Sequence, residues 1–257
     1  MRILAIGDIV GKPGRRAVQQ FLPGLILELG VDLVVANGEN SAHGIGITVN
    51  TAQELLDAGV EVITTGNHVW AQREIIPYLD GRLPILRPLN FPPGAPGKGY
   101  LIIKNVLVIN LIGRVFVGEY DCPFRSIDTL LNELTTLPKV IIVDFHAEAT
   151  SEKVALGRYL DGKVSAVLGT HTHIGTIDSG ILPNGTGYVT DIGMTGPTNS
   201  IIGDDVENVL NSFINGMPHR LSVGKGKVAM DAVLLDIDDR TGKARSIKRI
   251  REEEAES

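Results

Sequence analysis

The stretch RILAIG, residues 2–7, is a short apolar run that ends in glycine and is followed at once by Asp8. Comparable runs recur along the chain as DLVVAN (32–37), EVITT (61–65), KVIIVDF (139–145) and VSAVLGT (164–170). All five are continuously apolar rather than alternating, which is typical of strands that are buried on both faces of a sheet. We therefore interpret them as interior strands.

Segments of helical periodicity separate these runs, so strands and helices alternate, which predicts an α/β fold. The predicted helices cover residues 15–29, 48–58, 72–79, 126–137 and 151–160. Pro23–Gly24 is predicted to break the first of them into two pieces. Paired apolar runs predict two hairpins, at 99–104 with 106–112 and at 228–237 with 246–250, so the sheets are mixed. Between them, the proline-rich segment 83–98 predicts an irregular crossing loop.

Composition narrows the class of protein. The length of 257 residues favours a single domain over 1–257, with a charged, frayed tail at 251–257. A formal net charge of −6 argues against DNA and anionic membranes as partners. Cys122 is the only cysteine, which excludes a disulfide framework and suits a reducing, cytoplasmic location. The 30 glycines exceed the usual ~7% and predict many tight turns.

Polar residues follow the predicted interior strands, at the edge where α/β sheets bind ligands. They are Asp8, Glu39, Asn40, Asn67, His68, His146, His171 and His173. Carboxylate, amide oxygen and imidazole without thiolate suit manganese, iron or zinc, and the set is too large for one tetrahedral site. His171 and His173, two residues apart on an extended segment, would point to opposite sides and serve different ions. A single ion would need that loop to curl.

Six sequence blocks then point to a family. They are GDIVGKPGR (7–15), NGENSAHGIGIT (37–48), TTGNHVW (64–70), DFHAEATSEK (144–153), GTHTHIGT (169–176) and DIGMTGP (191–197). In type and order they resemble the bacterial YmdB branch of the calcineurin-like metallophosphoesterases. The resemblance implies an α/β four-layer sandwich, in which two mixed sheets pack together and helices flank them. It also implies a dinuclear, metal-dependent phosphodiesterase that hydrolyses 2′,3′-cyclic nucleotides.

The resemblance also implies roles for individual residues. The first metal is assigned Asp8, Glu39 and His173, with Asn40 as a fourth ligand, and the second is assigned Glu39, Asn67, His146 and His171. A hydroxide that bridges the two cations would attack phosphorus in line. His68 would donate a proton to the leaving oxygen, although it could instead only bind phosphate. The superfamily pattern has a metal-binding histidine where this chain has Val10, and Asp–Asp where it has Glu39–Asn40.

Other functions fit the same residues. A phosphomonoesterase or protein phosphatase would share every metal ligand, and a regulatory protein could bind metal and nucleotide with little turnover. The expected partner is a small phosphorylated substrate, and the sequence leaves open whether the chain forms a homo-oligomer. Lys12, Arg15 and Arg16 could reach phosphate, but the spacing of a P-loop is absent.

Overall fold

The computed structural model describes residues 1–255 and contains fourteen strands and six α-helices in that part of the chain. The strands are β1 (Arg2–Ile6), β2 (Asp8–Ile9), β3 (Leu33–Asn37), β4 (Val62–Thr64), β5 (Ile85–Leu86), β6 (Tyr100–Ile103), β7 (Val106–Ile112), β8 (Val140–His146), β9 (Ala166–Thr170), β10 (Gly180–Ile181), β11 (Gly187–Val189), β12 (Met194–Pro197), β13 (Val228–Ile237) and β14 (Ala244–Glu253). The helices are α1 (Gly11–Leu29), α2 (Val49–Asp57), α3 (Ile76–Leu79), α4 (Pro123–Glu133), α5 (Thr150–Tyr159) and α6 (Val206–Asn215). One 3₁₀ turn, Arg73–Ile75, precedes α3.

The strands form two mixed sheets. The first has the order β2-β12-β13-β1-β3-β4-β5, with β14 paired to β13, and the second has the order β10-β11-β9-β8-β7-β6. Within the first sheet, β1, β3, β4 and β5 are parallel, and within the second β7, β8, β9 and β11 are parallel. The carboxyl ends of each parallel set therefore share one edge of its sheet.

Three apolar cores separate four layers. Between the two sheets, β1 and β3 contribute Ile3 and Val35, and the second sheet contributes Val108 and Ile142. On the outer face of the first sheet, the core includes side chains of α1 and α2, such as Leu22. The outer face of the second sheet packs in the same way against α4 and α5. The four-layer sandwich implied by the resemblance is confirmed.

All five interior strands and both hairpins are present, but three local predictions are wrong. Helix α1 runs unbroken through Pro23, because the proline and Gly24 lie on its exposed face while both halves are buried against the sheet. The helix predicted at 72–79 is instead the 3₁₀ turn and the four-residue α3, since Pro77 prevents a continuous helix. The frayed tail predicted for 251–257 is wrong for Arg251–Glu253, which belong to β14, and residues 256–257 lie outside the described range.

The segment 83–98 does carry the chain from the first sheet to the second, although it also contains the short strand β5. Helix α6 has no counterpart among the predicted helices. None of the helices within residues 1–255 combines the length and apolar composition needed to cross a bilayer.

Candidate metal centre

The predicted site residues lie at the carboxyl ends of parallel strands from both sheets and at β2. Asp8 begins β2, and His146 is the last residue of β8. The others follow β3, β4 and β9 in the loops directly after the strands, namely Glu39, Asn40, Asn67, His68, His171 and His173. Asp8, Glu39 and His146 are completely buried. The structure therefore brings the predicted set together between the two sheets.

One half of this cluster converges on a single nitrogen, Nε2 of His146. It lies 3.0 Å from Glu39 Oε1, 3.1 Å from Asn67 Oδ1 and 3.0 Å from His171 Nδ1. One N–H cannot serve three acceptors at once, whereas a cation placed among these atoms can bind them all. Glu39, His146 and His171 each offer one ligand atom, and these atoms lie within 4.8 Å of one another.

The other half consists of Asp8, Asn40 and His173. His173 Nε2 lies 3.7 Å from Asp8 Oδ1, and Asn40 Nδ2 donates to the same nitrogen at 3.3 Å. The oxygen of the Asn40 amide instead faces His68, whose Nδ1 donates to it at 2.8 Å. Asp8 Oδ1 and Glu39 Oε1 are buried carboxylate oxygens that have no well-aligned hydrogen-bond donor among residues 1–255, although His146 Nε2 lies 3.0 Å from Glu39 Oε1.

The hydrogen bonds outside the cluster turn each histidine so that a lone pair faces inward. His173 Nδ1 donates to the carbonyl of Ile202 at 2.7 Å, which leaves Nε2 as the acceptor. His171 Nε2 lies 3.0 Å from a carboxylate oxygen of Glu148, which leaves Nδ1 directed at the centre. Such outer partners orient the histidine ligands of metal ions in proteins.

His146 is oriented by a chain of buried polar groups. Thr170 Oγ1 donates to Asp144 Oδ1 at 2.7 Å, so that the hydroxyl oxygen accepts from His146 Nδ1 at 3.0 Å. Asp144 also accepts a short hydrogen bond from the Thr64 hydroxyl. Burial raises the pKa of Asp144 to about 6. Nε2 of His146 is thereby aimed at the carboxylate of Glu39.

The electrostatics of the centre call for positive charge. Burial opposes ionisation of Glu39, but the neighbouring His146 outweighs it and lowers the pKa of Glu39 to about 2. Burial likewise opposes charge on His146, yet Glu39 and Asp8 raise the pKa of His146 to about 9. Burial and the adjacent His146 lower the pKa of His171 to about 3. The buried carboxylate of Glu39 therefore favours positive charge beside it, and a divalent cation would supply that charge.

The segment that carries His171 and His173 is not extended, which corrects the expectation from their spacing. Both residues have positive φ, 97° and 63°, so the loop curls. Positive φ outside glycine costs of order 1–3 kcal/mol and is maintained only by the surroundings. The two rings still face different neighbours, His171 facing His146 and His173 facing Asn40.

A buried ion pair supports this loop, and it was not predicted from the sequence. Lys153 Nζ lies 2.7 Å from Asp191 Oδ2, and both side chains are buried. The same oxygen accepts from Thr172 Oγ1 at 2.7 Å and from Thr172 N at 3.2 Å, between the two histidines. Both charged residues stand in sequence blocks of the family, DFHAEATSEK and DIGMTGP, and that was the available signal.

A family model described as a YmdB-like protein matches residues 4–250. The chain belongs to the YmdB-like family. A curated relative from Bacillus subtilis (strain 168), named 2′,3′-cyclic-nucleotide 2′-phosphodiesterase, is 47% identical over 97% of this chain and 96% of its own length. Membership confirms the resemblance and places this YmdB-like chain among phosphoester-hydrolysing enzymes.

Solved structures of other proteins share the fold of this chain. A structure described as a novel phosphatase from Mycoplasma pneumoniae has a TM-score of 0.93 and 32% identity, covering 98% of this chain and 93% of that one. The calcineurin-like phosphoesterase YfkN of Bacillus subtilis has a TM-score of 0.55 at 14% identity, covering 98% of this chain and 90% of that one, and supports the fold alone. The calcineurin-like fold class of the YmdB-like chain is thus confirmed, while the roles of individual site residues stay predictions.

Proposed function

We propose that this YmdB-like chain hydrolyses 2′,3′-cyclic nucleotides with the help of two divalent cations. One observation carries the proposal: three inward-facing imidazole nitrogens meet two buried carboxylate oxygens that have no well-aligned hydrogen-bond donor among residues 1–255. An isolated buried carboxylate oxygen is costly, and a cation removes that cost. The name of the Bacillus subtilis relative, at 47% identity, supports the substrate class.

The donor set suits manganese, iron or zinc. Asp8, Glu39, Asn40 and His173 would hold one cation, and Glu39, Asn67, His146 and His171 the other, so that Glu39 serves both. When bound, the cations supply Lewis-acid charge, which lowers the pKa of water and stabilises negative charge on a phosphate. The amide oxygen of Asn40 has two lone pairs. One accepts the hydrogen bond from His68 Nδ1, and the other is available to a cation.

His68 is placed to handle the proton of the leaving ribose oxygen. Its Nδ1 donates to Asn40, and its backbone N–H donates to Glu39 Oε2 at 3.1 Å, so the ring is held beside the centre. The side chain is 34% exposed, which leaves Nε2 accessible to a substrate. In the protonated ring, Nε2 carries the proton that the leaving oxygen takes up.

The test compares substrates and counts metals. Adenosine 2′,3′-cyclic phosphate, bis(p-nitrophenyl) phosphate and p-nitrophenyl phosphate are assayed in parallel, and elemental analysis is expected to find two metal ions per chain. Faster cleavage of the monoester would favour a phosphatase, the description of the Mycoplasma pneumoniae relative. Metal and nucleotide binding without turnover would favour a regulatory role.

Glu39→Gln tests the shared ligand. We expect kcat/KM to fall by at least about a thousandfold, which corresponds to ~4 kcal/mol of transition-state stabilisation. We also expect bound metal to decrease. Glu28→Gln, an exposed position on α1, is the matched control and should behave like the wild type. Wild-type activity in Glu39→Gln would refute the dinuclear site.

We extend the proposal to a cytoplasmic location, supported by Cys122 as a free thiol in a chain with no other cysteine.

A further inference from the structure

A cavity of about 690 Å³ lies among the start of α1, the loop after Asn40 and the segment before β13, and basic side chains line it. These are Lys12 and Arg16 of α1, His43, and Arg220 and Lys225 of the segment before β13. The rest of the lining is apolar or small, and neither aspartate nor glutamate contributes to it. We call this cavity the basic cleft.

On one side, the walls of the basic cleft are joined to the loop that carries Asn40. The backbone N–H of Gly11, at the start of α1, donates to the carbonyl of Asn40 at 2.8 Å. Val223 of the opposite wall lies close against both Gly11 and Gly44, where an added Cβ would stand 2.9 and 2.8 Å from its side chain. The start of α1, the loop after Asn40 and the segment around Val223 therefore form one continuous surface.

On another side, the cleft is joined to His173. The Nδ1 of His173 donates to the carbonyl of Ile202, and the carbonyl of the next residue, Gly203, accepts from the N–H of Gly224 at 2.8 Å. Gly224 and Lys225 line the cleft. His173 is thus connected to the wall of the cleft by two hydrogen bonds, and Asn40 by one hydrogen bond to the residue that precedes Lys12. A substrate held by these ligands could extend into the cleft.

The charge of the cleft is available to a ligand. Lys12, Arg220 and Lys225 are exposed and form no ion pair within residues 1–255. Arg16 pairs with Glu254 at 3.1 Å, whereas nearby Arg15 is turned away to Glu54 at 2.6 Å. In a chain of net charge −6, a cavity lined by cations without carboxylates is a local reversal of charge. Arginine and lysine side chains in such a place bind phosphate.

We propose that the basic cleft binds a second phosphate of the substrate. The preferred substrates would then carry a phosphate or phosphodiester next to the nucleoside that bears the cyclic phosphate. A short RNA that ends in a 2′,3′-cyclic phosphate has this chemistry, and so does a 5′-phosphorylated cyclic mononucleotide. The inference rests on the proposed function, because it names further chemistry for the substrate of the same site.

The test measures kcat/KM of the metal-loaded enzyme for three substrates. They are adenosine 2′,3′-cyclic phosphate, its 5′-phosphorylated form, and the dinucleotide ApA ending in the same cyclic phosphate. We expect at least a tenfold preference for one or both substrates that carry a second phosphate. Raising salt from 50 to 200 mM should reduce this preference about two- to threefold per phosphate contact, as expected for single strands.

The double variant Lys12→Ala/Arg220→Ala should reduce the preference to less than about threefold. Both positions are exposed, and urea unfolding verifies that the variant is folded. Lys139→Ala is the matched control, since Lys139 is an exposed lysine that precedes β8 and lies at the end opposite His146. It should keep the full preference.

The outcomes separate the two proposals. A preference for the dinucleotide alone identifies RNA ends as the source of the second phosphate, and a preference for the 5′-phosphorylated mononucleotide identifies small nucleotides. Equal kcat/KM for all three substrates, or a preference that survives in the double variant, overturns the cleft but leaves the phosphodiesterase. No hydrolysis of any of them overturns the proposed function and the cleft together.

Discussion

The buried pair of Lys153 and Asp191 allows a quantitative test of how the histidine loop is supported. Lys153→Met removes the ammonium group but keeps most of the side-chain volume. Asp191, fully buried, would keep only hydrogen bonds from neutral donors, those of Thr172 and the N–H of Gly193 at 2.8 Å. Breaking a buried ion pair from one side leaves an uncompensated charge and costs about 3–5 kcal/mol.

The cost is measured as a decrease in the free energy of unfolding. For a chain of this size each kcal/mol lowers Tm by roughly 2–4 °C, so Lys153→Met should lower Tm by about 6–20 °C. Urea unfolding followed by circular dichroism gives the free energy directly. Both proteins are measured in chelator, because metal that binds only the folded state would add its own stabilisation.

Lys104→Met is the matched control for Lys153→Met. Lys104 Nζ lies 2.6 Å from Glu61 Oε1, at least as close as the buried pair, but the two side chains are 49% and 29% exposed. An exposed pair contributes about 0–1 kcal/mol, so this variant should lose less than ~1 kcal/mol. If Lys153→Met costs no more than Lys104→Met, burial does not govern the energy of the pair and the reasoning fails.

Four further predictions concern glycine, proline and metal. Gly66→Ala places a methyl group inside the His146 ring, so bound metal and kcat should both fall at least tenfold in elemental analysis and assay; unchanged metal content would contradict this. Gly24→Ala meets nothing within 4 Å on the exposed face of α1 and should instead stabilise by about 1 kcal/mol in urea unfolding. Pro23→Ala restores a helical N–H and should raise the free energy of unfolding by about 1–3 kcal/mol, whereas a loss would show that the helix favours proline there. Metal-free protein, from which the chelator has been removed, should be stabilised by about 2.7 kcal/mol per site when manganese is added at a hundred times its Kd. Thermal unfolding measures this gain, and an unchanged Tm would argue against the metal centre.

The interior of the fold could be predicted from sequence because its strands are long enough to show their burial. The short strands could not, since β2, β5 and β10 have two residues each, which is too few to show a pattern of burial. Helix α6, in contrast, could have been predicted, because the residues that begin and end it are typical of helix termini. Asp205 caps it by accepting from the Asn208 N–H at 3.1 Å, and Gly216 ends it in the left-handed conformation.

The candidate site could be predicted because parallel strands align their carboxyl ends, which places separate motifs at one edge. The surroundings of that site are less visible in the sequence. Lys153 would ordinarily be read as an exposed helix residue, since lysine is almost never fully buried without a partner. Its partner Asp191 is 38 residues away, and only the tertiary fold brings the two charges together.

Glycine is required in the site motifs for a different reason from the one that its position in the sequence suggests. Its abundance near the predicted ligands is consistent with backbone lying close to metal and phosphate. In the structure, however, a Cβ at Gly7 or Gly169 would overlap the carbonyl of Gly193 or Thr190, and one at Gly66 would overlap His146. What forbids a side chain is the protein's own packing. Strands from two sheets can bring their ligands to one point only if the connecting backbones approach this closely, so these glycines govern the spacing of the ligands before any ion binds.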